Sequence, residues 1–116
     1  VDDEDAILLI TSQTLLAFGY RVLTATDGAE AVALYAQYRN EIALVLTDMM
    51  MPIMNGPELV QRIREINPNI KVIGTSGLGS GAELAQAAKP IVQTFLTKPY
   101  RPEALLLKLN QLLAMK

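Results

Sequence analysis

The sequence predicts an α/β domain in which a parallel sheet is covered by helices on both faces. Short apolar runs rich in β-branched residues alternate along the chain with longer segments of helical periodicity. Most of the apolar runs are followed by a turn signal, and the chain contains no internal repeat, low-complexity stretch or linker. Its 116 residues match the size of one domain, and 51% of them are apolar, enough for a core.

The first third of the chain predicts two helices around one strand. Residues 5–18 predict a helix that ends at Gly19, although the apolar run 6–10 taken alone would also suit a strand. Residues 20–25 predict a strand. The second helix, 27–38, has Asp27 as its N-cap and Glu30 three residues later as a capping partner.

The remainder of the chain continues the alternation of strands and helices. Pro57 suits the first turn of a helix, and Asn67-Pro68 ends that helix. The predicted elements are a strand at 43–47, a helix at 57–66, a strand at 71–75, a flexible loop at 77–81, a short helix at 82–88, a strand at 93–97 and a helix from 102 to the C-terminus.

The alternation requires a strand before the first helix, yet only Val1 precedes the acidic residues there. We therefore expect a first strand truncated at Val1, and upstream residues in the natural protein that complete it as a central strand. Neighbouring strands would otherwise lose partners for their buried backbone groups.

Composition excludes several classes of function. The absence of cysteine and histidine excludes Cys/His zinc sites and Ser-His-Asp or Cys-His catalysis. A net charge of −2 without a Lys/Arg cluster argues against direct nucleic-acid binding. No apolar run approaches the roughly 18 residues of a membrane helix, and no signal-peptide pattern opens the chain, so a cytoplasmic location is expected.

The run Leu44-Val45-Leu46-Thr47 leads to a single acid, Asp48, at the carboxyl end of a predicted strand. In open α/β sheets, ligands bind at that edge. If Val1 ends a strand, Asp2 and Asp3 lie at the same edge. Two carboxylates about 5 Å apart repel by roughly 3 kcal/mol at an effective dielectric of about 20. Such a cluster takes up protons or a cation, and oxygen ligands of this kind suit Mg²⁺.

Two further polar residues follow predicted strands at the same edge. Ser76 follows the fourth strand and Lys98 the fifth. Taken singly, the alternatives are a solvated acidic N-terminus, a loop serine and a surface lysine. Because four strands each end in a residue suited to binding an anion or a cation, the pattern favours one shared pocket.

In these residues the chain resembles the receiver domain of bacterial two-component response regulators, possibly one from a hybrid histidine kinase. The resemblance covers essentially the whole chain, residues 1–116, and its motifs occur in order at fitting separations. They are Asp2-Asp3, Asp48 with Met51-Pro52 and Asn55-Gly56, Thr75-Ser76-Gly77, and Phe95-x-x-Lys98-Pro99.

The resemblance implies a flavodoxin-like, doubly wound sheet of five parallel strands in the order 2-1-3-4-5. It implies that Asp48 accepts a phosphoryl group from a phosphohistidine of a partner histidine kinase or phosphotransfer domain. Such a domain is no enzyme beyond its own phosphorylation and dephosphorylation. The remaining implied roles are Mg²⁺ ligation by Asp3, Asp48 and the backbone carbonyl of Met50, action of Asp2 through water, phosphoryl binding by Ser76 and Lys98, and switching by Ser76 with Phe95.

Two other classes of function remain as alternatives. The loop Gly77-x-Gly79-x-x-Ala82 matches a loose dinucleotide-binding fingerprint, but the acid expected about 20 residues later is absent. An aspartate-nucleophile phosphatase is the second alternative, and such enzymes typically carry a carboxylate where Met50 stands.

The leucine pattern of the last helix predicts one buried face and one exposed face. Leu105, Leu106, Leu109, Leu112 and Leu113 share one broad apolar face, and Leu107 and Ala114 lie opposite. The resemblance implies signalling through the surface of helix 4, strand 5 and helix 5. We therefore expect Leu107 to contribute to a contact with a partner or with a second copy in a homodimer.

Overall fold

The computed structural model describes residues 1–76, 94–98 and 100–114 of the chain. Within these ranges three parallel strands are surrounded by four helices. The elements are α1 (Asp5–Ala17), α2 (Gly28–Tyr38), β1 (Leu44–Asp48), α3 (Gly56–Ile66), β2 (Lys71–Ser76), β3 (Thr94–Thr97) and α4 (Pro102–Ala114).

The sheet has the order β1-β2-β3, and both pairings are parallel. Asp48 pairs with Thr75, and Ser76 pairs with Thr97, so the carboxyl ends of all three strands meet at one edge. β2 is the central strand of the three and is buried from Val72 to Ser76. Such a nearly continuous buried run is typical of a parallel sheet covered on both faces.

Helix α3 begins with a capping box that the sequence analysis missed. Asn55 accepts a hydrogen bond from the Glu58 backbone N–H at 3.0 Å, and Glu58 accepts one from the Asn55 N–H at 3.5 Å. The helix therefore starts at Gly56, one residue before the predicted start at Pro57. Its buried face, Leu59, Val60 and Ile63, packs in the core, where each side chain contributes about 1.5–3 kcal/mol.

Two other predicted helices are confirmed with local adjustments. Asp27 caps α2 by accepting the Glu30 N–H at 2.7 Å, as predicted. In α4, Leu105, Leu109 and Leu112 are buried. Leu113, predicted for the same face, is 37% exposed, because it lies at the edge of that stripe.

The flank of β1 away from β2 departs from prediction. Residues 20–25 form no strand, and the first strand is represented only by Val1 and Asp2, which make three backbone hydrogen bonds to their neighbours. One partner bond is too few to fix residues 20–25 as a strand. Of the five predicted strands, the described residues form three, in the relative order predicted for strands 3, 4 and 5.

Several predicted features lie outside the described residues. They are the loop 77–81, the short helix 82–88, the first residue of the strand 93–97, Pro99, and the end of the last helix at 115–116. Because 82–88 is not described, α4 corresponds to the fifth predicted helix. Among the four helices that are described, none has the length and apolar character to cross a membrane.

Candidate functional site

Asp48 is the last residue of β1 and is 4% exposed. Its backbone N–H donates to the carbonyl oxygen of Val1 at 2.9 Å. Its Oδ1 accepts the backbone N–H of Met50 at 3.1 Å, so the turn that follows the strand orients the carboxylate. The side chain therefore stands at the carboxyl edge of the sheet, as predicted.

Lys98 lies at the centre of the charged groups at this edge. Its Nζ is 2.7 Å from Asp2 Oδ2, 3.1 Å from Asp48 Oδ2 and 3.7 Å from Glu4 Oε1. The backbone N–H of Lys98 donates to the carbonyl oxygen of Ser76 at 2.7 Å, which extends the β2–β3 ladder by one residue. The ladder thus fixes the lysine where its ammonium bridges two buried carboxylates.

The predicted acidic cluster also forms. Oxygen atoms of Asp2, Asp3 and Asp48 all lie within 4.8 Å of one another. Asp2 and Asp48 are buried, whereas Asp3 is exposed. The N–H of Glu4 donates to Asp2 Oδ1 at 2.9 Å, so a tight local turn holds Asp2 toward the pocket.

Three carboxylates at this spacing suit a hard divalent cation. Mg²⁺ prefers oxygen ligands and binds through one or two carboxylates while retaining waters, and the exposed Asp3 leaves the cluster open to solvent on one side. Lys98 neutralises part of the negative charge of Asp2 and Asp48. The donor set therefore fits Mg²⁺.

Burial and charge act against each other on the titrating groups of this site. Burial raises the pKa of Asp48, while the Met50 N–H and Lys98 act to lower it. Burial alone would lower the pKa of Lys98, but its hydrogen bonds to Asp2 and Asp48 outweigh burial and raise it. Lys98 is thus held as a cation beside a carboxylate whose ionised form it supports.

The loop after Asp48 is packed tightly beneath the site. Met49 is fully buried; its N–H donates to the Thr75 carbonyl at 2.8 Å, and its own carbonyl accepts the N–H of Gly56 at 3.1 Å. A β-carbon on Gly56 would lie 2.6 Å from the carbonyl oxygen of Asp48. Only glycine therefore lets the start of α3 approach the acceptor strand so closely.

The same loop contains a strained residue that the sequence analysis did not identify. Ile53 has φ of 67°, the one positive φ among described residues other than glycine, and its side chain is fully exposed. The N–H of Met54 donates to the Pro52 carbonyl at 2.7 Å, which makes Ile53 the centre of a γ-turn of the rarer, positive-φ form. A β-branched residue is costly in this conformation, so nothing in its type predicts the turn.

The remaining predicted site residues lie close to the edge. Ser76 ends β2 and is buried. Phe95 is half-buried in β3 against Gly74 of β2, and β2 separates it from Asp48 on β1. Met50, whose carbonyl was the predicted metal ligand, follows Asp48 by two residues and is itself exposed.

A second polar contact beside the site was also missed. The hydroxyl groups of Thr11 and Tyr100 lie 2.8 Å apart, and Thr11 is the one buried residue of α1. Burial raises the pKa of Tyr100. A buried threonine amid the apolar residues of α1 is a weak signal for such a bond, because its partner lies 89 positions away in the chain.

Comparison with known proteins gives one consistent family. The sequence model described as "Response regulator receiver domain" matches residues 1–110. The chain is 34% identical over 112 residues to the chemotaxis protein CheY of Thermotoga maritima, covering 96% of this chain and 92% of that protein. A crystal structure of a response regulator receiver domain protein from Clostridium thermocellum superposes with a TM-score of 0.88 at 31% identity, covering 97% of this chain and 89% of that one.

Some relatives are far longer than this chain. The sensor kinase CckA of Brucella abortus is 32% identical over 113 residues, which are 97% of this chain but 12% of CckA. The similarity to such proteins is therefore confined to one of their segments.

Proposed function

This chain belongs to the response regulator receiver domain family, whose members accept a phosphoryl group on an aspartate in two-component signalling, and we propose that Asp48 is that aspartate. The observation that carries the proposal is the contact of Asp48 Oδ2 with Lys98 Nζ at 3.1 Å beside the Asp2–Asp3 pair. A receiver domain is not a catalytic enzyme by itself, so the partner that carries the phosphohistidine supplies the phosphoryl group.

The proposed transfer uses the ionised carboxylate of Asp48 as nucleophile. A P–O bond forms to a carboxylate oxygen as the P–N bond of the partner's phosphohistidine breaks, and the electron pair returns to the imidazole nitrogen. Phosphoryl transfer depends mainly on positioning and charge neutralisation. The Met50 N–H fixes Oδ1, and Lys98 leaves Asp48 Oδ2 to pair with phosphoryl oxygens while it keeps its 2.7 Å contact with Asp2.

Receiver domains generally bind Mg²⁺ at an acidic pocket, and we assign that role to Asp3, Asp48 and the Met50 carbonyl, with Asp2 acting through water. When bound, the cation would neutralise charge on the phosphoryl oxygens. The protein's own groups place the carboxylates: the Val1 carbonyl holds the Asp48 backbone, and the Glu4 N–H holds Asp2.

The proposed switch uses Ser76 and Phe95. The phosphoryl group carries about 1.5–2 negative charges and three strong hydrogen-bond acceptors, and it replaces the single negative charge of the Asp48 carboxylate. Ser76, at the end of the neighbouring strand, would donate its hydroxyl to a phosphoryl oxygen. Phe95, half-buried on β3, would then turn inward behind it, using packing alone because it has no hydroxyl group.

The assignment of Asp48 is tested with a small phosphodonor such as acetyl phosphate and Mg²⁺. Intact-mass measurement should show one added phosphoryl group on the wild-type chain and none on Asp48→Asn. Asp5→Asn, at an exposed acid in the first turn of α1, is the matched control and should label normally. Equal labelling of Asp48→Asn would refute the assignment.

The metal assignment is tested without phosphorylation. A ligand that binds only the folded state stabilises it by about 2.7 kcal/mol when present at 100 times its Kd. Mg²⁺ should therefore raise the thermal midpoint of the wild-type chain, and Asp3→Ala should lose most of that increase. Asp3 is exposed, so the substitution leaves the core intact. A wild-type midpoint that does not respond to Mg²⁺ would contradict a preformed site.

Receiver domains interact with histidine kinases or phosphotransfer partners, and we propose that α4 contributes to a phosphorylation-dependent contact with such a partner or in a homodimer. Leu107 on α4 is 58% exposed, opposite the buried face. Leu107→Glu should weaken self-association of the phosphorylated protein in sedimentation experiments while labelling at Asp48 stays normal. Unchanged association would leave Leu107 as an ordinary exposed leucine.

A further inference from the structure

The acidic residue at position 4 begins α1 without capping it. Glu4 has the extended backbone of an N-cap, with φ of −94° and ψ of 106°, and its carbonyl accepts the N–H of Leu8 at 3.1 Å. Its side chain makes no capping hydrogen bond, whereas Asp27 and Asn55 cap α2 and α3. Glutamate is not among the residues preferred at an N-cap. The Glu4 carboxylate therefore does not stabilise the start of the helix.

The Glu4 side chain extends instead toward the acceptor site. Its Oε1 lies 3.7 Å from Lys98 Nζ, the same ammonium group that contacts Asp2 and Asp48. The Asp2 and Asp48 side chains are 7% and 5% exposed, whereas that of Glu4 is 61% exposed. An ion pair as exposed as this one adds little to the stability of a fold. The Glu4 charge is therefore placed to act on molecules that approach Lys98 from solvent.

The solvent-facing mouth of the site carries an excess of negative charge. Four carboxylates, those of Asp2, Asp3, Glu4 and Asp48, lie at the same edge as the Lys98 ammonium group. The three aspartates form the group suited to a cation, and Glu4 lies outside that group. A cation held by the aspartates would leave the Glu4 charge in place. Phosphodonors are anions, and a like charge at the entrance of a site slows the approach of an anion.

We propose that Glu4 is a specificity-determining residue that disfavours phosphodonors in proportion to their net negative charge. This inference rests on the proposed phosphorylation of Asp48. Glu4 lies beside Lys98, the group that pairs with incoming phosphoryl oxygens, so its carboxylate repels the donor where the donor must pass. Donors with a P–N bond, whose nitrogen can carry a proton, are favoured over acyl phosphates. The phosphohistidine of a partner protein belongs to this class of P–N donor.

Two small donors provide the comparison. At neutral pH acetyl phosphate is a dianion, whereas phosphoramidate has a protonated nitrogen and a single net negative charge. With each donor, a bond forms between a carboxylate oxygen of Asp48 and phosphorus. The P–O bond of acetyl phosphate breaks and acetate leaves with the electron pair, or the P–N bond of phosphoramidate breaks and ammonia leaves. Both reactions give the same phosphorylated protein, so intact-mass measurement follows them in the same way.

The test compares the wild-type chain with Glu4→Gln and Glu65→Gln at the same saturating Mg²⁺ concentration. Glu65→Gln is the matched control, because it removes the same charge from an exposed position near the end of α3. That helix begins beside Asp48 at Gly56, so its last turn lies away from the site. Labelling rates with each donor are measured at low ionic strength and in about 1 M NaCl. Thermal midpoints show whether both variants fold like the wild-type protein.

At low ionic strength, acetyl phosphate should label Glu4→Gln about fivefold faster than the wild-type chain, and phosphoramidate should label it about twofold faster. These ratios are expected for charges roughly 8 Å apart in water. Both increases should disappear in about 1 M NaCl, where the Debye length is about 3 Å. Glu65→Gln should be labelled at the wild-type rate by both donors.

An unchanged acetyl phosphate rate for Glu4→Gln would overturn the inference, and so would an equal increase for Glu65→Gln. Equal increases with the two donors, or increases that persist at high salt, would also overturn it. Such results would assign the effect to the placement of Lys98 and not to the charge of the donor. A wild-type chain that neither donor labels at Asp48 would refute the proposed function, and this inference with it.

Discussion

The two flanks of β1 differ in how completely they are built. On one flank, β2 pairs with β1 over five residues, and α3 buries Leu59, Val60 and Ile63. On the other flank, the described backbone hydrogen bonds come from Val1, which bonds to β1, and from Asp2, which bonds to Ala25. Helix α1 buries a single residue, Thr11. The candidate site draws on both flanks, since Asp48 and Lys98 come from the complete one and Asp2 and Asp3 from the incomplete one.

Different interactions stabilise the fold and hold the acidic site together. The buried side chains of α3 on the β2 flank stabilise the fold, because hydrophobic stabilisation follows the apolar area removed from water. The acidic residues at positions 2 and 3 are held mainly by backbone hydrogen bonds and by Lys98. Substitutions of buried apolar residues of α3 should therefore lower the free energy of unfolding, and substitutions of Asp2 or Asp3 should mainly change the site.

The largest expected effect tests this contrast in the core. Leu59→Ala removes a fully buried side chain of α3 and should lower the free energy of unfolding by about 3 kcal/mol. Leu9→Ala, the same change at an exposed position of α1, should change it by less than about 0.5 kcal/mol. Urea denaturation of both variants measures the difference. Similar losses would contradict the difference in burial between Leu59 and Leu9.

The next effect concerns the approach of α3 to the acceptor strand. Gly56→Ala places a β-carbon against the Asp48 and Met49 backbone, which cannot move without shifting the site, and should cost about 1–3 kcal/mol. Gly28→Ala is the comparison variant: its β-carbon would lie 2.7–2.9 Å from side-chain atoms of Met54, including the Met54 β-carbon, so it crowds a side chain of the loop and not the Asp48–Met49 backbone. Thermal midpoints and acetyl phosphate labelling should both fall more for Gly56→Ala. Equal behaviour of the two variants would contradict a backbone clash.

The smallest effect concerns the link between the flanks. Tyr100→Phe loses the 2.8 Å bond to Thr11 and should cost about 1 kcal/mol at neutral pH. Burial raises the pKa of Tyr100, so its contribution is complete below its ordinary value of 10.0 and is lost as pH rises through the higher folded-state value. The difference in unfolding free energy between wild type and variant should shrink above pH 10. Tyr38→Phe is the control. If the difference in unfolding free energy between wild type and Tyr100→Phe does not change with pH, ionisation of Tyr100 plays no part.

Features that depend on one short segment of the chain could be predicted from the sequence. The apolar run ending at Asp48, the Asp27 cap and the Lys98 position each combine a residue type with an adjacent turn or strand, and each is found where predicted. The parallel relation of the strands followed from their alternation with helices. The acidic cluster followed from placing Asp2 and Asp3 at the edge that also carries Asp48.

Features that depend on distant partners were not predictable in this way. Residues 20–25 have strand-like composition, but a strand also needs a paired neighbour, and Asp2 supplies only one bond. The Thr11–Tyr100 bond joins two segments with no shared pattern. Ile53 adopts a conformation its side chain disfavours because its neighbours fix the turn: Met51 is buried, and Met54 packs against the core.

The bridging position of Lys98 also has a consequence for the order of folding. Its contact with Asp48 spans 50 residues, and the nearby Thr11–Tyr100 bond spans 89. Contacts of such long range form only after the entropy of closing a large loop has been met. During synthesis, β1 can leave the ribosome long before the lysine that completes its charge pair. We therefore expect the acidic site to be among the last parts of the domain to form, because a nascent chain that lacks its final quarter contains Asp48 without the Lys98 ammonium group beside it.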